Sequence, residues 1–194
     1  MSVALLEADV RTAPFAHATH AAPLSADLCD AALSWMEKTA PWKLRVASFY
    51  EQWELQLDHQ ELPTELQPFL ASDTIDGLRR LMLTPIAEIP PRLTEVTAHK
   101  LVPGQTIRVH NDHRPKGETH RLLIQLNRGW ADEQGGLLLL FGSAAADDVR
   151  RILRPTHRSA MAFEISPQSF HAVSTIQRGE RYTLVYSFHA ARGG

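Results

Sequence analysis

The chain has one cysteine in 194 residues, Cys29. It cannot close an internal disulfide, which points to a reducing, cytoplasmic setting. It also lacks a long apolar run. The longest, Leu137 to Phe141, falls far short of the roughly 20 residues that cross a bilayer, so no membrane is expected as a partner. The start, Met1 to Asp9, has neither the basic segment nor the apolar segment of a secretory leader. No run of five or more Lys and Arg occurs and the formal net charge is -2, so no nucleic acid is expected as a partner either. Internal repeats and low-complexity tracts are absent.

The length suffices for a sizeable core, and we read residues 1–194 as a single domain. Residues 1–92 form a helix-containing support region and residues 93–190 a β core. Ser25 caps a helix running to about Lys38, with Leu28, Ala32, Trp35 and Met36 on its apolar side and Pro41 beyond its end. Lys43 to Leu57 is β-prone, Pro63 and Pro68 break the next stretch, and a second helix runs from Ser72 or Asp73 to Leu83. From Leu93 onward the pattern changes to short strands. They are expected at Glu95–Val102, Thr106–Asp112, Arg121–Asn127, Gly136–Phe141, Val149–Arg154, Ala160–Ile165, His171–Ile176 and Arg181–His189. The fold class this implies is mainly β (α+β): a jelly roll of two antiparallel sheets, with N-terminal helices covering one outer face.

Ten histidines are many for this length, and only a few can share one site. His110 and Asp112 lie two apart in an expected strand, so they face the same way, about 6.6 Å apart. A second imidazole from another strand completes a two-His, one-carboxylate set with open coordination positions, as non-haem Fe(II) oxygenases use. His171, at the mouth of a strand after the Ser166-Pro167 turn, can supply it. The plain alternatives are a half-buried His110 bonded to Asp112 and an edge-strand His171. His113 alternates to the other face, and His120, His157 and His189 read as structural or solvent-facing.

Arg181 and Thr183 share a strand face. An inward guanidinium is costly to bury without an anion. A dicarboxylate satisfies it through a bidentate bond, with the Thr183 hydroxyl adding another; the alternative is an outward Arg on a solvated strand. Arg108, two residues before His110, is expected inward as a candidate for binding an anionic group of the substrate, or else bent out at the barrel rim. Trp130 is a candidate for the mouth of the site, or simple hairpin packing.

These residues carry a resemblance. From about Glu95 to Phe188 the chain resembles the Fe(II)- and 2-oxoglutarate-dependent dioxygenases, in particular the prolyl-4-hydroxylase-like branch. The matching parts are Pro103-Gly104, His110-x-Asp112, Leu126-Asn127, Trp130, Gly135-Gly136, Phe163, His171 and Gly179-x-Arg181-Tyr182, in that order. The resemblance implies a double-stranded β-helix, His110, Asp112 and His171 as iron ligands, and Arg181 as partner of the distal carboxylate of 2-oxoglutarate. The implied cofactors are Fe(II), 2-oxoglutarate and O2, with ascorbate in support. Departures from the family pattern fall at Leu101, Gln125 and Leu137-Leu138, where Tyr, Tyr and Glu-Leu are common. Halogenating members replace the carboxylate ligand with a small residue, so Asp112 favours hydroxylation.

The implied reaction hydroxylates an unactivated C–H bond of an amino acid, a peptide or a protein residue, proline included, and releases succinate and CO2. A small molecule or short peptide is favoured as substrate because no separate peptide-binding domain is visible. The alternatives are desaturation or demethylation of a small metabolite, or a non-catalytic metal-binding jelly-roll module.

Overall fold

Ser25 begins the first helix as expected: its backbone is extended and its hydroxyl accepts from the Leu28 amide at 3.4 Å. Helix α1 spans Ala26–Lys38 and buries Cys29, Ala32, Leu33 and Met36. The computed structural model describes residues 7–58 and 61–190; the first six residues of the stretch examined for a leader lie outside this range.

Among the described residues twelve strands run in chain order, the first two ahead of α1: β1 (Asp9–Arg11), β2 (His17–His20), β3 (Lys43–Val46), β4 (Glu51–Gln56), β5 (Arg92–Leu101), β6 (Ile107–His110), β7 (His120–Gln125), β8 (Leu138–Phe141), β9 (Val149–Leu153), β10 (Ala160–Glu164), β11 (His171–Val173) and β12 (Arg181–His189). They form an eight-stranded sheet, in the order β1-β2-β10-β7-β12-β5-β4-β3, and a four-stranded sheet, in the order β6-β11-β8-β9. All the pairings between these strands are antiparallel. The mainly β, two-sheet jelly roll is therefore the fold.

The N-terminal region is more than a helical support. It contributes β1 and β2 at one edge of the large sheet and β3 and β4 at the other. Strands β1 and β2, of three and four residues, are too short to show an alternating pattern in sequence. Thr64–Leu70 forms a 3-10 helix with Pro68 inside it, where the two prolines suggested only a break. The second helix is α2 (Ser72–Leu78), continued to Leu83 by a π-helical turn.

Strict alternation along the large sheet divides the interior in two. On β12, Tyr182, Leu184, Tyr186 and Phe188 face outward into a core shared with α1, α2 and the 3-10 helix. The Tyr186 hydroxyl donates to the Phe69 carbonyl at 3.1 Å, so this buried phenol keeps a partner. Arg181, Thr183, Val185 and Ser187 face the other way, into a cavity between the two sheets. Both faces of β12 are thus buried, one by helices and one by the site.

Candidate metal centre

The histidines come from neighbouring strands of the small sheet. His110 on β6 lies opposite His171 on β11, and Ile107 lies opposite Val173. Three steps on β6 therefore match two on β11, which is a β-bulge. The extra residue breaks the period-two alternation. Ile107 and His110 both line the cavity, and Arg108 between them turns out. This corrects the expectation that Arg108 shares the inward face. Its guanidinium instead donates to the Ser48 carbonyl on the exposed side.

Strand alternation does not place Asp112 either. Strand β6 ends at His110, and Asp112 sits beyond it in the left-handed region, with φ 56°. The turn is tied to the loop that precedes β11: the Asn111 side-chain amide donates to the Pro167 carbonyl at 3.1 Å, and the Ser169 hydroxyl donates to the Asn111 carbonyl at 3.0 Å. Two loops thus fasten to each other and bring the carboxylate back beneath the imidazoles.

The convergence is close. Asp112 Oδ1 lies 3.5 Å from His110 Nε2, and Oδ2 lies 3.2 Å from His171 Nε2. The three groups offer ligand atoms all within 4.8 Å of one another. His110 Nδ1 lies 2.8 Å from the Arg108 carbonyl, and His171 Nδ1 lies 2.8 Å from the Ser169 carbonyl. A carbonyl only accepts, so each Nδ1 carries a proton, and in that tautomer the lone pair of Nε2 turns toward Asp112. Two lone pairs and a carboxylate pointing at one spot suit a cation, and the backbone carbonyls orient the rings as outer partners of metal-bound histidines do. Phe49 stacks on His110 at 4.4 Å between ring centroids, and Phe163 meets His171 edge-on at 4.9 Å.

Burial pushes the Asp112 carboxyl upward, but the Arg121 guanidinium and the two imidazoles beside it outweigh burial and hold the group well below the usual carboxylate range. Burial lowers the His171 pKa, which keeps its ring neutral. Arg121 is the residue that sequence reasoning missed. Its Nη1 lies 2.6 Å from Asp112 Oδ2 and its Nη2 2.6 Å from Glu118 Oε2. Arg121 stood in an expected strand, but nothing local marked it: its main partner arrives through a turn nine residues upstream.

At the other end of the cavity Arg181 is buried, at 4% exposure. Its Nη1 donates to Thr183 Oγ1 at 2.8 Å, and Thr183 Oγ1 donates to Gln125 Oε1 at 3.0 Å. Its Nε has no hydrogen-bond partner, and among the described residues no carboxylate forms an ion pair with it. Burial alone lowers its pKa, to about 10. A buried guanidinium with an orphaned N–H fits a carboxylate brought by a ligand. Gly136, at φ 64°, lets the chain pass: a Cβ there would stand 2.9 Å from Arg181 Cδ and 2.6 Å from Ile176 Cδ1. Trp130 packs against the same glycine and donates from Nε1 to the Gly135 carbonyl at 2.9 Å. It therefore braces the Gly135-Gly136 turn behind Arg181 and is not part of the cavity wall, contrary to its expected place at the mouth.

The cavity holding both ends measures about 920 Å3. The other described histidines stay outside the triad. His157 Nε2 lies 2.8 Å from Asp30 Oδ1, His189 Nδ1 donates to the Gly117 carbonyl at 2.8 Å, and His120 Nδ1 meets Thr119 Oγ1 at 2.9 Å.

Residues 96–189 match the family model of the 2OG-Fe(II) oxygenase superfamily. The matched stretch, just under half of the chain, holds the triad at one end of a cavity and a lone buried arginine at the other, an arrangement that accords with a 2-oxoglutarate-dependent dioxygenase. Its relatives in structure are of the prolyl-4-hydroxylase-like kind. A prolyl-4-hydroxylase of Pseudomonas putida is 23% identical with a TM-score of 0.68, over 91% of this chain and 93% of that one. A prolyl hydroxylase of Trichoplax adhaerens, in complex with a hypoxia-inducible-factor peptide fragment, is 13% identical with a TM-score of 0.71, over 89% and 82%. The collagen prolyl hydroxylase of Paramecium bursaria Chlorella virus-1, in a 2-oxoglutarate complex, is 16% identical with a TM-score of 0.67, over 90% and 96%. At these identities the likeness is one of fold. No curated protein matches the chain by sequence.

Proposed function

We propose that His110, Asp112 and His171 hold Fe(II), that Arg181 and Thr183 bind the distal carboxylate of 2-oxoglutarate, and that the chain hydroxylates a C–H bond of a small molecule or a peptidyl residue, proline included. The observation that carries this reading is the unpaired, buried Arg181 in the same cavity as the triad. A binding module with a structural metal has no use for a desolvated guanidinium there, and structural zinc sites take four protein ligands where this centre offers three.

Bound Fe(II) supplies the O2-dependent chemistry that side chains lack: one oxygen atom goes to the substrate and one to succinate, with CO2 released. The chain's own residues position and enclose. Arg181 fixes the far end of the cosubstrate, so its oxo-acid end is aimed at the triad. Leu123, Val173 and Val185 line the cavity between and keep water out. Gln52, Glu54, Glu95, Thr97 and His99 line the wall contributed by β4 and β5, where a substrate meets polar groups. The cavity lies near the top of the roughly 300–1,000 Å3 range of small-molecule sites, which leaves room beside the cosubstrate. Two of the relatives above are a complex with a peptide fragment and a collagen prolyl hydroxylase, and these support a peptide as one substrate class.

Residues 1–194 act as one catalytic unit in this reading. The lone, buried Cys29 suits a reducing cytoplasm, and no helix among the described residues is long and apolar enough to cross a membrane. The test is succinate formation with Fe(II), ascorbate and 2-oxoglutarate across an amino-acid and peptide panel, with mass spectrometry of the products. Gain of one oxygen is expected. Loss of two hydrogens or of a methyl group instead means desaturation or demethylation, and no succinate with any substrate sinks the proposal.

A further inference from the structure

The carboxylate of the triad stands where no strand holds it. Asp112 follows the end of β6 with a left-handed backbone, which a residue with a Cβ keeps only when its surroundings impose it. The loop ties through Asn111 and Ser169 fix the backbone but touch no carboxylate oxygen. Arg121 reaches the carboxylate itself, from the opposite sheet. Its own backbone is held on both sides, with Arg121 paired to Phe163 of β10 and to Ser187 of β12. Its two terminal nitrogens take different acids, Asp112 Oδ2 and Glu118 Oε2, each at 2.6 Å. A planar fork fastened at both prongs has little freedom left to rotate.

We infer that Arg121 is a positioning residue for the metal: clamped to Glu118, it occupies Asp112 Oδ2 and leaves Oδ1 to face the cation. This rests on the metal reading above. Among the described residues Oδ1 has no neighbour in hydrogen-bond or ion-pair contact except the His110 ring. A carboxylate held this way ligates through one oxygen and leaves the remaining coordination positions open. The bare charge of Arg121 would repel a divalent cation, but Glu118 neutralises it. The Asp112–Arg121–Glu118 group then presents a single net negative charge to the metal.

The test is the affinity of the metal-free protein for Fe(II) or Co(II), measured anaerobically by calorimetry beside thermal melting of the same samples. Arg121→Met is expected to weaken metal binding about 10- to 100-fold, the usual effect of removing an outer partner of a ligand. Arg121→Lys keeps the charge without the fork and falls in between. Glu118→Gln keeps the Asp112 contact but removes the charge that neutralises Arg121, and falls between the parent and Arg121→Met. The inference is overturned if Arg121→Met binds metal like the parent. Should Arg121→Met not fold, Arg121→Lys decides, and parental affinity in it overturns the inference. His171→Ala separates the two readings. If it retains metal, the ligand assignment has failed; if it loses metal while Arg121→Met does not, only the role of Arg121 has failed.

Discussion

Arg181 Nη1 donates to Thr183 Oγ1 at 2.8 Å on the inward face of β12, and among the described residues no acidic side chain comes near enough to pair with the guanidinium. Elsewhere in the cavity, buried charge of this kind is matched, as Arg121 is by Asp112 and Glu118. A charge-assisted hydrogen bond is worth about 1.5–3 kcal/mol. Arg181→Met should therefore raise the KM for 2-oxoglutarate by roughly 10- to 150-fold, with the metal affinity unchanged. Steady-state kinetics with 2-oxoglutarate varied would show it. An unchanged KM removes Arg181 from the cosubstrate site.

His171→Ala and Asp112→Ala should each abolish turnover and leave the protein without stoichiometric iron, with Asp112→Ala also leaving Arg121 only Glu118 as an acidic partner. Metal analysis of protein reconstituted anaerobically, together with succinate assays, checks both. Full activity in either variant rejects the assigned ligand.

Gly136→Ala should be costly twice over. At φ 64° an alanine is strained, and its Cβ would collide with Ile176 and with the stem of Arg181. A loss of about 1–3 kcal/mol in stability is expected, accompanied by a higher KM for 2-oxoglutarate. A variant as stable as the parent with the same KM would show that the turn relaxes freely.

His99 gives the stability a pH dependence. Burial, with the nearby positive charges of Arg121 and Arg181, outweighs the pull of Glu54 and Asp112 and brings its pKa down to about 4 from an ordinary 6.5. Below pH 6.5 the unfolded chain binds a proton there that the folded protein refuses until about pH 4. Stability contributed by neutral His99 is thus complete above pH 6.5, declines as pH falls toward 4, and levels off below that. His99→Gln should flatten this limb in melts of metal-free protein; an identical slope would assign the loss to other groups.

Arg108→Ala should change neither 2-oxoglutarate binding nor the KM of the primary substrate, and should shift stability by no more than about 0.5 kcal/mol, as exposed substitutions do. A large rise in substrate KM alone would return Arg108 to the substrate site.

The triad was legible in sequence, but partly for a different reason. A two-residue spacing suggested strand alternation, whereas Asp112 reaches its place through a turn past the end of β6. Arg181 and Thr183 were legible because β12 is long and regular. Arg108 was misplaced because a bulge is set by the partner strand, and a period-two rule cannot anticipate it. Arg121 was invisible because its meaning depends on two acids brought in by a loop. Strands β1 and β2 were missed because they are too short to carry a pattern and owe their form to β10 beside them.

Strands β3 and β4 end with an unequal division of labour. The proposed ligands and cosubstrate anchor lie within residues 96–189, the part that matches the superfamily. Much of the wall opposite comes from Lys43 to Gln56, outside that part. On the proposed function, reaction and clientele are thus written partly on separate stretches of chain. A lineage can redraft the earlier stretch and recruit a new substrate while leaving the engine untouched, and grafting it between relatives is the shortest route to redirecting this enzyme.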